Sequence, residues 1–411
     1  MTKKMNNFNI DPGELFKSVK ELQKKGHVFQ YYQDRTYNGR NVTVKDREVI
    51  HFANCSYLSL EKHPLLIEGA IEAVKNYGTQ NSMSRAMLSS PLYKAFEENL
   101  SKIFPGYQVV YPSTTLSHCS ALPLLAGEKD AIIIDAYLHN SVRMAVQLCR
   151  ANGTFVLMSR HNNMEHVKYL IYRLRKEGYR NIWYFADGIY SIHGNYCDIR
   201  GLQKLLDEEE NFFAYVDDAH AIGWTGKNGC GYVIGNFGLH KKMIVAASFN
   251  KSFAGAGGGL IVPDRETAEI LKYTGQTMIF SGPVQPPMQG VLVASSRLHL
   301  SDELPPLQDQ LRTLIKFFRK RSSELGLPIL TQDETPIQLL RIGGMENTKK
   351  VQDHLISKGF LTTTAGYPAI SKGDEGIRIS LTRALTLEDI NRLLECLRDF
   401  ITSEKIMLKD A

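Results

Sequence analysis

Short apolar runs recur through the middle of the chain, at residues 109–111, 131–134, 155–158, 182–185, 213–216 and 244–247. Between them, over about 139–151, 164–177 and 199–209, apolar positions return every three or four residues. A short run with no polar alternation reads as a strand buried on both faces, and intervening helices supply parallel crossovers. The pattern therefore predicts an α/β fold: a large domain with a mostly parallel sheet covered by helices.

The flanks read differently. Residues 1–60 form an N-terminal arm, with a helix over about 12–25 and then polar, strand-like pieces. A helix follows over 64–77, with Ile67, Ile71 and Val74 on one face, then a polar loop at 79–90 and another helix from Pro91. Beyond about 290, long amphipathic helices, a strand-like 337–342 and a final helix over 386–403 suggest a smaller α+β C-terminal domain. The expected division is an arm at 1–60, a large domain at 61–290 and a small domain at 291–411.

In sheets of this kind ligands lie outside the carboxyl ends of the strands, so the residues following each run carry the chemical information. After 109–111 comes Ser113-Thr114-Thr115, where hydroxyls and free amides at a helix start suit a phosphate, or an ordinary N-cap. After 131–134 comes His139, a flat ring at a helix start. After 182–185 come Asp187 and, further on, Ser191 and His193. Asp217-Asp218-Ala219-His220 ends the next run. Unpaired buried acid is costly there, unless a cationic ring nitrogen or a metal balances it. Ser248 precedes Lys251, which is followed by a loop holding Gly255, Gly257, Gly258 and Gly259. That lysine reads equally as a surface residue by a flexible turn or as a Schiff-base nucleophile. Arg378, in a strand-like run near the end, suits a carboxylate.

Composition narrows the field. The 411 residues are 43% hydrophobic and 22% charged, as in an ordinary soluble globular protein, and the net charge of +6 is spread out. No aromatic-basic interleaving suggests nucleic acid, and no apolar run is long enough for a membrane span. Six scattered cysteines argue against a zinc site or a disulfide framework and for a reducing cytoplasm. Met1–Asn7 lacks the apolar core of a secretory signal.

The order of these signals resembles the fold-type I pyridoxal-phosphate (pyridoxal 5'-phosphate, PLP) transferases, and among them the α-oxoamine synthase family, from about residue 50 to 400. The strongest pieces are Val216 to Gly223 with Gly226, Gly229 and Gly231, and Ser248-Phe249-Asn250-Lys251. The resemblance implies that Lys251 carries the cofactor and moves the substrate's α-proton. Asp217 would pair with the pyridine nitrogen, His139 would stack on the ring, and His220 and Ser191 would bond its phenolic oxygen. Ser248 and the Ser113–Thr115 turn would bind phosphate, with Ser281 contributed across a homodimer interface. Arg378 would hold the amino-acid carboxylate. The implied reaction joins an amino acid to an acyl thioester, from CoA or an acyl carrier protein, with loss of carbon dioxide. Another PLP reaction, by an aminotransferase or a retro-aldol lyase, is the alternative; a non-catalytic subunit conflicts with the presence of Lys251, Asp217 and His220.

The sequence departs from the family pattern in several places. Ser113-Thr114-Thr115-Leu116-Ser117-His118 stands where Ser-Gly-aromatic-x-Ala-Asn is usual. Cys55 replaces an asparagine, Asp187 a glutamate and His193 an acid. Residues 79–85 lack their usual glycines, and Ser89 replaces another. These changes read as lining the substrate side more than the cofactor side.

Overall fold

A computed structural model describes residues 12–367, 369–404 and 406. The segment Met1–Asn7 lies outside the described residues. Helix α1 (Pro12–Lys25) leads to a hairpin of β1 (Asn41–Val44) and β2 (Arg47–His51), turned by Lys45 and Asp46, both at positive φ. Two helices follow, α2 (Pro64–Tyr77) and α3 (Pro91–Ile103), each with proline in its first turn, where no amide hydrogen is missed.

The expected alternation then appears. It runs β3 (Tyr107–Tyr111), α4 (Thr114–Leu125), β4 (Ala131–Asp135), α5 (Asn140–Ala151), β5 (Phe155–Ser159) and α6 (Met164–Lys176). It continues with β6 (Ile182–Asp187), α7 (Ile199–Glu208), β7 (Phe212–Asp217), α8 (Gly231–Phe237) and β8 (Met243–Ser248). One strand was not anticipated. β9 (Gly258–Val262) begins with two glycines that read as loop. It runs antiparallel between β3 and β8 in a seven-stranded sheet of order β3-β9-β8-β7-β6-β4-β5, whose other neighbours are parallel.

Helices α9 (Arg265–Thr274), α10 (Gln276–Ile279) and α11 (Pro286–His299) follow. Helix α2 packs on α11 through Gly69 and Gly290, where a side chain on either would strike the other's carbonyl oxygen. That crossing turns Ile67, Ile71 and Val74 outward, each about two-fifths exposed. The C-terminal part comprises α12 (Leu304–Glu324), β10 (Ile337–Arg341), α13 (Met345–Ser357), β11 (Phe360–Leu361), β12 (Thr363–Ala365), β13 (Gly376–Ser380) and α14 (Leu387–Ser403). β10, β13 and β12 form an antiparallel sheet, and β11 pairs with β2. The arm therefore shares a core with this part: Ile50, Phe52 and Tyr57 cluster with Leu311, Ile377 and Leu394. Among the described residues no helix is long and apolar enough to cross a membrane.

Candidate active site

The carboxyl ends of β3, β6, β7 and β8 open on one cavity of about 130 Å³. It is lined by Ser113, Thr114, Thr115, His139, Asp217, His220, Ser248 and Lys251, together with Ser141, Asp187, Ala219 and Asn250. Most of the side chains singled out in the sequence thus converge. Ser191, Ser281 and Arg378 do not line it.

At one wall α4 begins. Ser113 caps it, its hydroxyl accepting from the Leu116 amide at 3.1 Å. The first amides of a helix have no partner within it and carry partial positive charge, so an anion fits here. The wall closes because Gly258 has no side chain: a Cβ there would lie 2.5 Å from the amide nitrogen and Cα of Thr114. Gly257, at φ +91°, has the backbone conformation that favours glycine and would also strike the Tyr111 carbonyl. Gly257 and Gly258 are therefore steric requirements of the junction between β3, α4 and β9. Ser248 is buried and its hydroxyl donates to the side-chain oxygen of Asn250.

His139 caps α5. Its Nδ1 lies 2.7 Å from the Ser141 hydroxyl, and its amide donates to Asp187 at 3.1 Å. Burial holds the ring below its usual pKa, so it favours the neutral form.

Two acids stand side by side, because the β6–β7 register pairs Asp187 with Asp217. Burial and the neighbouring Asp217 charge push Asp187 well up, and its Oδ2 has no hydrogen-bond partner among the described residues. Asp217 goes the other way. Burial alone would raise it, but His118, His139 and Lys251 together hold it down at about 2. One wall thus presents a neutral carboxyl beside an ionised one, the split expected when two carboxyls share a buried site.

His220 is held through Nδ1 by the Tyr57 hydroxyl at 2.7 Å. Burial, then Lys251 and Arg378, keep it well below the usual imidazole range.

Arg378, on β13, is buried. Its Nε donates to the Ser191 carbonyl at 2.6 Å, Nη1 to the Ser380 hydroxyl at 2.7 Å, and Nη2 reaches the Cys55 sulfur at 3.8 Å. Among the described residues no carboxylate forms an ion pair with it. Burial would raise the Cys55 thiol, but Arg378 and Lys251 outweigh it and hold the thiol below its usual value. Ser191 thus meets Arg378 through its backbone, and the Ser281 hydroxyl donates to the Thr277 carbonyl.

Sequence reasoning did not single out His118, Tyr57 or Asn250. His118 stood only among the substitutions in the phosphate turn, although it lies one helical turn beyond Thr114, the spacing that places two side chains on one helix face.

The groups present fit a phosphorylated pyridine aldehyde. A helix start faces an anion, an ionised carboxylate suits a protonated ring nitrogen, a neutral imidazole can lie on a ring face, and an amine can meet the aldehyde. Together with the sheet topology they define a fold-type I pyridoxal-phosphate enzyme.

The comparisons agree. Residues 47–397 match the aminotransferase class I and II family, and the chain belongs to it. It is 26% identical over 388 residues to 8-amino-7-oxononanoate synthase 1 of Bacillus velezensis, covering 94% of this chain and 97% of that protein. It is 28% identical to 2-amino-3-ketobutyrate coenzyme A ligase of Escherichia coli, over 86% of this chain and 88% of that one. Its fold matches a serine palmitoyltransferase from S. paucimobilis with a TM-score of 0.87 at 19% identity, covering 99% of this chain and 100% of that one. Within the class I and II family the chain is an α-oxoamine synthase.

Proposed function

We propose that the protein condenses an amino acid with an acyl thioester, releasing carbon dioxide and a free thiol and leaving an α-amino ketone. The observation that carries this reading is the convergence of Lys251, ionised Asp217, His139 and the start of α4 on one cavity. Pyridoxal phosphate, when bound, draws electrons from the α-carbon of an attached amino acid and makes its proton acidic. Lys251 Nζ is the amine that holds the cofactor's aldehyde, and the base that takes and returns that proton. Asp217 supplies negative charge for the ring nitrogen, which keeps the ring electron-poor. His139 would lie against the ring face, and His220, fixed by Tyr57, would be the donor for the phenolic oxygen; Ser191, outside the cavity lining, would reach that oxygen only after its hydroxyl turned inward. The α4 start with Ser113, Thr114, Thr115 and Ser248 binds the phosphate.

Arg378 binds the amino-acid carboxylate. A buried guanidinium facing no acid is poised for an anion, and its planar fork matches a carboxylate. The names of the relatives support a thioester as second substrate, since one is a coenzyme A ligase and others are 8-amino-7-oxononanoate synthases. An acyl carrier protein is the alternative donor. The six cysteines are free, which supports a cytoplasmic setting. The exposed face of α2, with Met87 and Phe280 about four-fifths exposed, supports a homodimer to which Ser281 contributes.

Incubation of cofactor-loaded protein with candidate amino acids and acyl thioesters tests the reading. Carbon dioxide and free thiol appear together in equal amounts. Transamination without thiol release would overturn it in favour of an aminotransferase.

A further inference from the structure

We infer that His118, braced by Tyr215, is a positioning residue that aims the Asp217 carboxylate at the cofactor's ring nitrogen. The inference rests on the reading above that Asp217 faces that nitrogen.

Side chains alternate along a strand, so Tyr215 and Asp217 of β7 share a face. His118, on α4, is fully buried against that face. Its Nδ1 lies 2.7 Å from the Tyr215 hydroxyl, and its Nε2 lies 3.2 Å from Oδ2 of Asp217. The latter is an ion-pair distance rather than a well-aligned hydrogen bond, and Nε2 makes no hydrogen bond elsewhere among the described residues. The rings of His118 and Tyr215 meet edge to face, 5.7 Å apart.

The tautomer follows from the neighbours. Asp217 is an ionised acceptor, so Nε2 must carry the proton that faces it. Burial holds the Tyr215 phenol well above its ordinary pKa, so that hydroxyl keeps its proton and is free to donate to Nδ1. The other oxygen of Asp217 accepts the Ala219 amide at 3.1 Å. One oxygen is therefore tied by the chain and the other by His118, which removes the carboxylate's freedom to rotate. His139 from α5, Lys251 after β8, and Asp187 on β6 also face Asp217. None of these is held in place by a second residue of β7, as His118 is by Tyr215.

The asparagine usual in the family at position 118 can donate to a carboxylate but is too short to span Tyr215 and Asp217 at once. The histidine and the tyrosine thus act as a unit, and a graded series separates positioning from packing. Cofactor-free wild type, H118N, H118L and Y215F are titrated with pyridoxal phosphate by absorbance, followed by steady-state kinetics and thermal unfolding. Expected is a weakening of cofactor binding in H118L on the order of tenfold, the scale of one lost polar contact to a buried charge. The turnover number falls with it, while the amino-acid KM stays near wild type. H118N recovers most of the loss and Y215F shows a smaller one. Wild-type cofactor affinity and turnover in H118L overturn the inference. So does an H118L that merely unfolds while H118N and Y215F behave as wild type. Failure of wild type to take up cofactor would instead sink the proposed function.

Discussion

The two ends of the active site are built in different ways. At the proposed cofactor end the groups sit at, or within four residues after, the carboxyl ends of strands of a single buried sheet, and four of them have a second residue holding them. Ser113 is tied to Leu116, His139 to Ser141, Asp217 to Ala219 and His118, and His220 to Tyr57. At the proposed substrate end Arg378, Ser191 and Cys55 come from three distant segments, and the loop at 79–90 leaves Met83, Met87 and Leu88 exposed. The difference teaches where variation is tolerated. Moving a cofactor ligand disturbs a sheet, whereas changing the substrate end disturbs a few contacts between segments.

The contrast can be broken most sharply at Lys251. Lys251→Ala should lower turnover on the order of 10³–10⁴-fold, as loss of a proton-transferring group does, and abolish the cofactor-linked absorbance band. Initial rates and a spectrum check it, with the thermal unfolding midpoint unchanged.

Arg378→Lys addresses the other end. A point charge replaces a planar fork, so the amino-acid KM should rise about 10–100-fold, with cofactor titration as in wild type. A change in cofactor affinity would mean that the two ends are not separable.

Acid stability sharpens the comparison further. His193, stacked on Tyr137, and His299, stacked on Phe253 just beyond Lys251, are both pushed down to about 4 by burial. Each is neutral in the folded chain, so the unfolded chain takes the proton first. Stability is full above about 6.5 and falls as pH drops toward about 4, on the order of 1 kcal/mol per pH unit per ring. Urea midpoints across this range should show the slope, and His193→Gln and His299→Gln should each flatten it.

The smallest effect on the fold itself is expected at the outer face of α2. Ile71→Ser should change stability by less than about 0.5 kcal/mol, as surface substitutions do, yet shift sedimentation from the proposed dimer toward monomer.

Much of this architecture was legible in the sequence. The six apolar runs are strands, because continuous burial leaves no polar alternation, and residues after five of them reached the cavity, because a parallel sheet points its carboxyl ends one way. β9 was hidden because Gly258 and Gly259 suggest a loop. Gly258 is there because Thr114 at the start of α4 crowds it, a contact with a segment far away in the chain, and Gly259 lies against the Phe249 ring. His118 was hidden for a related reason: its partners lie on a strand remote in sequence. Ser191 and Ser281 have the right residue type, but their hydroxyls do not line this chain's cavity, since local pattern does not show where a hydroxyl points. The outward face of α2 has a helical apolar stripe that looks like core; the Gly69–Gly290 crossing turns it to the surface.

The placement of β9 bears on how the protein comes to exist. β3 joins the parallel strands only through β9, so the junction of β3 with the helix start proposed to receive the phosphate is complete only when the chain has returned from Tyr111 to Gly258. Closing so long a loop is among the slower events available to a folding chain. Where this helix start receives the phosphate as proposed, cofactor loading is tied to completion of the central sheet rather than to α4 alone.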